Sequence, residues 1–95
     1  MLVPGVDGFI VGPYDLSCSM GIPGEFEHRE FKKVMNFILN TGLRIGCPPG
    51  LHIVEPDVLR LKESIEQGYR FIAYSVDVRM LDVSARAGVQ ALKEI

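Results

Sequence analysis

Apolar and polar positions along the chain fall into two alternating periods. Phe9-Ile10-Val11 is a short unbroken apolar run closed by Gly12-Pro13, which predicts a buried strand bounded by turn residues. A polar, glycine-rich connection follows over 17–25. From 27 to 41 the period lengthens to that of a helix. Phe31, Val34, Met35, Ile38 and Leu39 share one face, with Arg29, Lys32, Lys33, Asn36 and Asn40 opposite. Gly42 is placed as the residue just past its end. Leu43 to Cys47 predicts a second strand, stopped by Pro48-Pro49-Gly50. A helix over 56–67 has Pro56 in its first turn, Val58, Leu61 and Ile65 as its buried stripe with Leu59 beside it, and Gly68 as its stop. Residues 69–77 read as a third strand and 78–93 as a last helix. Its apolar face is Val78, Leu81, Ala85, Val89 and Leu92, and Gly88 weakens it by about 1 kcal/mol.

Strand, helix, strand, helix, strand, helix is the order of a parallel α/β sheet with right-handed crossovers. All strand carboxyl ends then share one rim, where such folds carry their chemistry. The rim so predicted holds Asp15, Cys47-Pro48-Pro49, Ser75 and Asp77.

Length and composition narrow the field. The chain has 95 residues, enough for one small domain or a part of a larger one, and is 47% hydrophobic and 23% charged. A net charge of −2, with Lys32-Lys33 the only adjacent basic pair, argues against a nucleic-acid partner. Cys18 and Cys47 make neither a disulfide framework nor a zinc motif. No apolar stretch reaches the ~20 residues of a membrane span, and residues 1–5 do not read as a signal peptide. A reduced, cytoplasmic setting with no membrane partner is the expectation.

Asp15 stands just past the first strand and reads either as a metal ligand or as a capping or turn aspartate. Asp7 reads as a turn residue and Asp77 as an N-cap. Ser17 reads as a loop hydrogen-bonder rather than a nucleophile, since no base is paired with it. Cys47 reads as packing, Cys18 as incidental, His28 as a first-turn helix residue and His52 as a loop residue without a partner at ligand spacing. The glycines of 5–12 match neither usual nucleotide fingerprint.

The phrase Gly5-Val6-Asp7-Gly8-Phe9-Ile10-Val11-Gly12-Pro13-Tyr14-Asp15-Leu16-Ser17, continued by Met20-Gly21-Ile22-Pro23-Gly24 and His28, resembles the HpcH/HpaI aldolase family. Phe71-Ile72-Ala73-Tyr74-Ser75-Val76-Asp77 resembles a further strand of that family, with Ser75 in place of its glycine. The resemblance covers nearly the whole chain. It implies the C-terminal βαβαβα portion of a TIM (β/α)8 barrel, with 1–95 as a single partial domain holding the last three βα units. It implies a metal-dependent (class II) aldolase, a carbon–carbon lyase that cleaves 4-hydroxy-2-oxo acids to pyruvate and an aldehyde. Asp15 matches a ligand of a divalent cation of the magnesium or manganese class. The backbone amides of Tyr14 and Asp15, in the loop opened by Gly12 and Pro13, match the donors to the 2-oxo acid carboxylate. The family's Glu ligand, catalytic Arg and helper His all lie upstream, so no catalytic residue maps onto this chain. The family is also homo-oligomeric, with its last helix packed on a neighbouring subunit.

Three expectations follow. The leading one is an aldolase fragment inactive by itself. A citrate-lyase-β-like fragment acting on acyl-coenzyme A is an alternative. A non-catalytic module that self-associates through sheet edges and last helix is another.

Overall fold

A computed structural model describes residues 3–95. The elements are β1 (Ile10–Val11), α1 (Pro13–Ser19), α2 (Arg29–Arg44), β2 (Gly50–Ile53), α3 (Val58–Gln67), β3 (Phe71–Tyr74) and α4 (Asp77–Lys93). The strands form one parallel sheet in the order β1-β2-β3. Ile10 lies opposite Gly50, and the β2–β3 register runs from Gly50 opposite Phe71 to Ile53 opposite Tyr74.

Helix α2 buries the predicted stripe. Phe31 and Leu39 are buried, Val34, Met35 and Ile38 are half-buried, and the polar positions opposite are exposed. The core is Leu39, Leu51, Ile53 and Tyr69, with Met35, Leu61, Ile72 and Tyr74 packed against it. Side chains alternate across a strand. Leu51 and Ile53 therefore face the helices, and Gly50 and His52 face the other side.

Several boundaries differ from the sequence reading, among them the third strand, which is Phe71–Tyr74 within the 69–77 expected. The segment 17–25 is not all loop, because α1 occupies Pro13–Ser19. Pro13 sits at its first position, where a missing N–H costs nothing. Gly42 does not end α2. It lies inside the helix, where only glycine fits: a β-carbon there would meet Cys47 O at 2.6 Å and Pro49 Cδ at 2.8 Å. The returning chain needs that space, and the helix runs on to Arg44, with left-handed Gly46 (φ 76°) just beyond its cap Ile45. The second strand is Gly50–Ile53, not 43–47. Pro48-Pro49 thus leads into the strand instead of closing it.

Gly68 closes α3 in the left-handed conformation, as the spacing predicts. Pro56 falls before the helix, and Asp57 caps it, accepting from Leu59 N at 3.0 Å and Arg60 N at 3.3 Å. The apolar stripes of the last two helices exist but are uncovered. Val58, Leu59 and Ile65 of α3 are exposed, and α4 buries no residue at all. Ile10 and Phe71 are exposed on the sheet face turned away from the helices. The radius of gyration is 16.1 Å and the extents are 56 × 27 × 22 Å, against about 12 Å for a compact chain of this length. Among the described residues no helix is long and apolar enough to cross a membrane.

Candidate functional site

Parallel pairing brings three strand ends to one rim. There β1 gives way to Gly12-Pro13-Tyr14-Asp15, β2 to Val54-Glu55, and β3 to Ser75-Val76-Asp77.

Gly12 is the N-cap of α1, in extended backbone (φ −97°, ψ 103°), and Pro13 is buried behind it. The first bond of the helix runs from Leu16 N to Gly12 O at 2.9 Å. The N–H groups of Tyr14 and Asp15 therefore have no acceptor within the helix, as at any helix start. Asp15 is exposed and bends back over the cap: a β-carbon on Gly12 would lie 2.8 Å from its Oδ2. A carboxylate in a first turn also sits favourably against the helix dipole. Tyr14 packs edge-on against Phe26 at 4.8 Å, and Phe26 packs on Phe31 at 5.2 Å. Ser17 is fully buried; its Oγ donates to Tyr14 O and accepts from Gly24 N, both at 2.9 Å. It is a hydrogen-bonder, but in a helix, and it ties the 21–24 turn down over α1.

The neighbouring strand ends carry groups that the sequence reading missed. Arg79 Nε donates to both oxygens of Glu55, at 2.8 and 2.9 Å, and its Nη1 reaches Asp82 Oδ2 at 2.6 Å. Asp82 Oδ1 in turn accepts from Arg86 Nε at 2.6 Å. The Glu55 hydrogen bond, with the charges of Glu55 and Asp82, holds the Arg79 guanidinium above its usual range. His52 lies on β2, not on a loop, and its Nε2 is 3.1 Å from Ser75 O. Ser75 is buried with φ 61°, the one non-glycine residue among those described in the left-handed region. A cavity of about 260 Å³ opens at this rim, bordered by Tyr14, Gly24, His52, Glu55 and Arg60.

Other predicted positions fall elsewhere. Cys47-Pro48-Pro49 precedes β2 and so lies at the opposite rim from Asp15; Cys47 Sγ is 3.9 Å from Asp7 O. Asp7 is exposed in a stretch without regular structure. His28 is the N-cap of α2, accepting from Glu30 N at 3.1 Å through Nδ1. Asp77 is the first residue of α4 and not its cap, which is Val76; its Oδ1 accepts from Val78 N at 2.7 Å. Cys18 is exposed and free.

Burial raises the hydroxyl pKa of Tyr69, opposed by the charge of Arg60. A hydrogen bond from Lys32 lowers the carboxyl pKa of Glu27. Both groups belong to the helix side of the sheet. Among the described residues no three His, Cys, Asp or Glu side chains converge as a metal site requires. Asp15 offers one carboxylate, and the donor set within the described residues does not complete a cation site.

No protein-family model matches the chain. Individual proteins do. It is 36% identical over 92 residues to a hydroxypyruvate/pyruvate aldolase of Paraburkholderia phytofirmans, covering 97% of this chain and 34% of that protein. It is 38% identical over 85 residues to a hydroxypyruvate/pyruvate aldolase of Sagittula stellata, covering 90% and 33%. It is 34% identical over 94 residues to a 4-hydroxy-2-oxo-heptane-1,7-dioate aldolase of Shigella sonnei, covering 94% and 35%. A crystal structure of an HpcH/HpaI aldolase/citrate lyase family protein from Burkholderia cenocepacia J2315 superposes with a TM-score of 0.85 at 33% identity, over 95% of this chain and 34% of that one. An HpcH/HpaI aldolase from Desulfitobacterium hafniense DCB-2 superposes with a TM-score of 0.83 at 31% identity, over 98% and 36%. The chain spans about a third of the length of the relatives it matches. The three-stranded parallel sheet with its helices is thus a portion of the (β/α)8 barrel fold of these HpcH/HpaI family structures, about a third of their length.

Proposed function

We propose that this chain, related in sequence and fold to the HpcH/HpaI aldolases, supplies the last three βα units of an aldolase barrel and is inactive without the others. One observation carries the reading. The Gly12–Asp15 turn sets a carboxylate and two free amides at the strand-end rim, where the chemistry of a parallel barrel is placed. The substrate class is a 4-hydroxy-2-oxo acid, cleaved to pyruvate and an aldehyde. The amides of Tyr14 and Asp15 hold the 2-oxo acid carboxylate. Asp15 gives one ligand to a divalent cation of the magnesium or manganese class, whose remaining ligands lie outside this chain. The uncovered faces fit this part. Ile10 and Phe71 face where further barrel strands would pack, and β1 and β3 are open edges of the sheet.

The test is aldol cleavage of a 4-hydroxy-2-oxo acid in the presence of Mn2+. It compares the chain alone with the chain joined behind the first five βα units of a relative. The chain alone gives no turnover. The joined protein turns over, and Asp15→Ala lowers its rate at least ~100-fold, the scale of lost electrostatic stabilisation at a reacting oxygen. Turnover by the chain alone, abolished by Asp15→Ala, overturns the proposed inactivity. Turnover of the joined protein that ignores Asp15→Ala overturns the role of Asp15.

A second feature concerns assembly. The stripe Val78, Leu81, Val89 and Leu92 on α4 is more than half exposed along its length. We propose that it is covered by a second copy of the protein, making the assembled enzyme a homo-oligomer.

A further inference from the structure

We propose that the cavity between α2 and α3 is a binding site for a small monocarboxylate with an apolar body, held by Arg60 and Tyr69. The cavity lies on the helix side of the sheet, so the proposal is independent of the 2-oxo acid reading at the Asp15 rim.

The cavity comes from a mismatch between two helix faces. From α2 it is bordered by Phe31, Met35 and Leu39, part of the apolar stripe of that helix. From α3 it is bordered by Arg60, Glu63, Ser64 and Gln67, which share one face at i, i+3, i+4, i+7 spacing and are all polar. The apolar residues Val58, Leu59 and Ile65 of α3 are exposed instead. A polar face does not seal against an apolar one, because its groups would be buried without partners. The gap that remains is about 360 Å³, within the range of small-molecule sites. Leu51 of β2 and Tyr69 border it from the sheet, and Phe26 from the loop before α2.

Two donors in this lining are unspent. Tyr69 is only 3% exposed, and among the described residues its hydroxyl has no hydrogen-bond partner. No side-chain polar atom sealed from solvent lacks a partner among those residues. The hydroxyl therefore opens onto a space, and the cavity is the space that Tyr69 borders. The Arg60 guanidinium stands over the Phe26 ring, 5.8 Å from its centre. Among the described residues it has no carboxylate within salt-bridge distance. Burial raises the Tyr69 pKa and the Arg60 charge opposes it, so the two groups lie within electrostatic reach of each other. A guanidinium and a neutral phenol both donate, which suits a carboxylate. The apolar wall suits a hydrocarbon body. Lys32, also in the lining, is already paired with Glu27 at 2.6 Å. Glu27 and Glu63 border the same space, and their charges repel a second carboxylate. The ligand is thereby restricted to a monoanion.

The experiment uses the 95-residue chain and three probes: benzoate, its uncharged analogue benzamide, and phthalate, which adds a second carboxylate. In titrations followed by amide shifts, benzoate is expected to move the signals of Leu39, Leu51, Ser64 and Tyr69 saturably. It is expected to bind about 10-fold tighter than benzamide, the scale of a hydrogen bond to a charged group, and tighter than phthalate. Arg60→Gln, at an exposed position, is expected to bring the benzoate-to-benzamide ratio near one. Tyr69→Phe is expected to weaken benzoate about 3- to 10-fold. Excess pyruvate is expected to leave the benzoate shifts unchanged. The absence of saturable shifts in the lining, equal affinities for benzoate and benzamide, or a ratio that survives in Arg60→Gln overturns the proposal. Phthalate binding as tightly as benzoate overturns the restriction to a monoanion. Displacement by pyruvate places the probe at the Asp15 rim, which overturns this site and leaves the 2-oxo acid reading standing. Shifts of the same lining on raising the protein concentration alone assign the cavity to a second copy and also overturn it.

Discussion

Asp15 is seated on Gly12, and only because Gly12 has no side chain. A β-carbon there would lie 2.8 Å from Asp15 Oδ2, closer than carbon and oxygen tolerate. The backbone of Gly12 is extended, with φ −97° and ψ 103°, which alanine adopts without strain. Gly12→Ala is therefore expected to keep the fold within about 1 kcal/mol while turning the carboxylate away. Amide shifts confined to residues 12–16, with weakened Mn2+ broadening of the same signals, would show it. Broadening as strong as in the parent chain would mean that the seat is not needed.

Ser75 bears the opposite constraint. Its φ of 61° is a left-handed conformation that costs an L-residue about 1–2 kcal/mol. Glycine removes that cost and adds about 0.5–1 kcal/mol of chain entropy. Ser75→Gly is thus expected to stabilise the chain by about 0.5 kcal/mol, read as a higher urea midpoint with an unchanged slope. A lower midpoint would show that the weak 3.4 Å bond from Ser75 Oγ to Val76 O outweighs the strain.

The exposed stripe of α4 predicts a concentration-dependent particle. Sedimentation is expected to show self-association that Leu81→Asp with Leu92→Asp abolishes. Neither residue contributes to the buried core, so the helical signal and thermal midpoint of the dilute protein are expected to stay the same. A double variant that sediments as the parent does removes α4 as the contact.

Tyr69 sets an alkaline limit. Burial raises its hydroxyl pKa above the ordinary 10.0, with Arg60's charge opposing. The folded state therefore holds the proton longer than the unfolded one. The contribution is complete below pH 10 and is lost as pH rises through the folded pKa. Denaturation midpoints are expected to fall above pH 10, and to fall less steeply in Tyr69→Phe. Equal slopes would place the titrating group elsewhere.

How much of this was legible in the chain varies with the physics of each element. The α2 stripe repeats over four turns and is covered by the sheet, so its period and its burial agree. Helix α1 was hidden because its seven residues mix Pro, Ser and Cys, poor helix formers. It is fixed by Pro13 at its start and by the tertiary bonds of Ser17, neither of which a period records. Leu43-Arg44-Ile45 alternates like a strand, yet its first two residues are the end of α2. Gly42 resembles a stop because glycine serves both helix ends and close approaches, and here it serves the second. That displacement moved the rim. With β2 read as 43–47, Cys47 seemed to stand near Asp15, while Glu55, Arg79 and His52 could not be placed at all. Asp15 was found correctly at the rim because its strand and turn are adjacent in sequence.

Arg79, reaching across to Glu55, matters for how the molecule comes apart. Helix α4 contributes no buried residue to the core, and among the described residues its side-chain hold on the β2 end is this exposed ion pair. Such pairs are worth about 0–1 kcal/mol, and a 17-residue helix without a packed face is marginal in water. Opening of α4 is thus uncoupled from melting of the sheet. Its amides are expected to exchange at a rate set by its own helix–coil equilibrium, while those of Leu51 and Ile53 report global unfolding. In the free chain the last helix is a separate cooperative unit, whose order depends on whatever covers it.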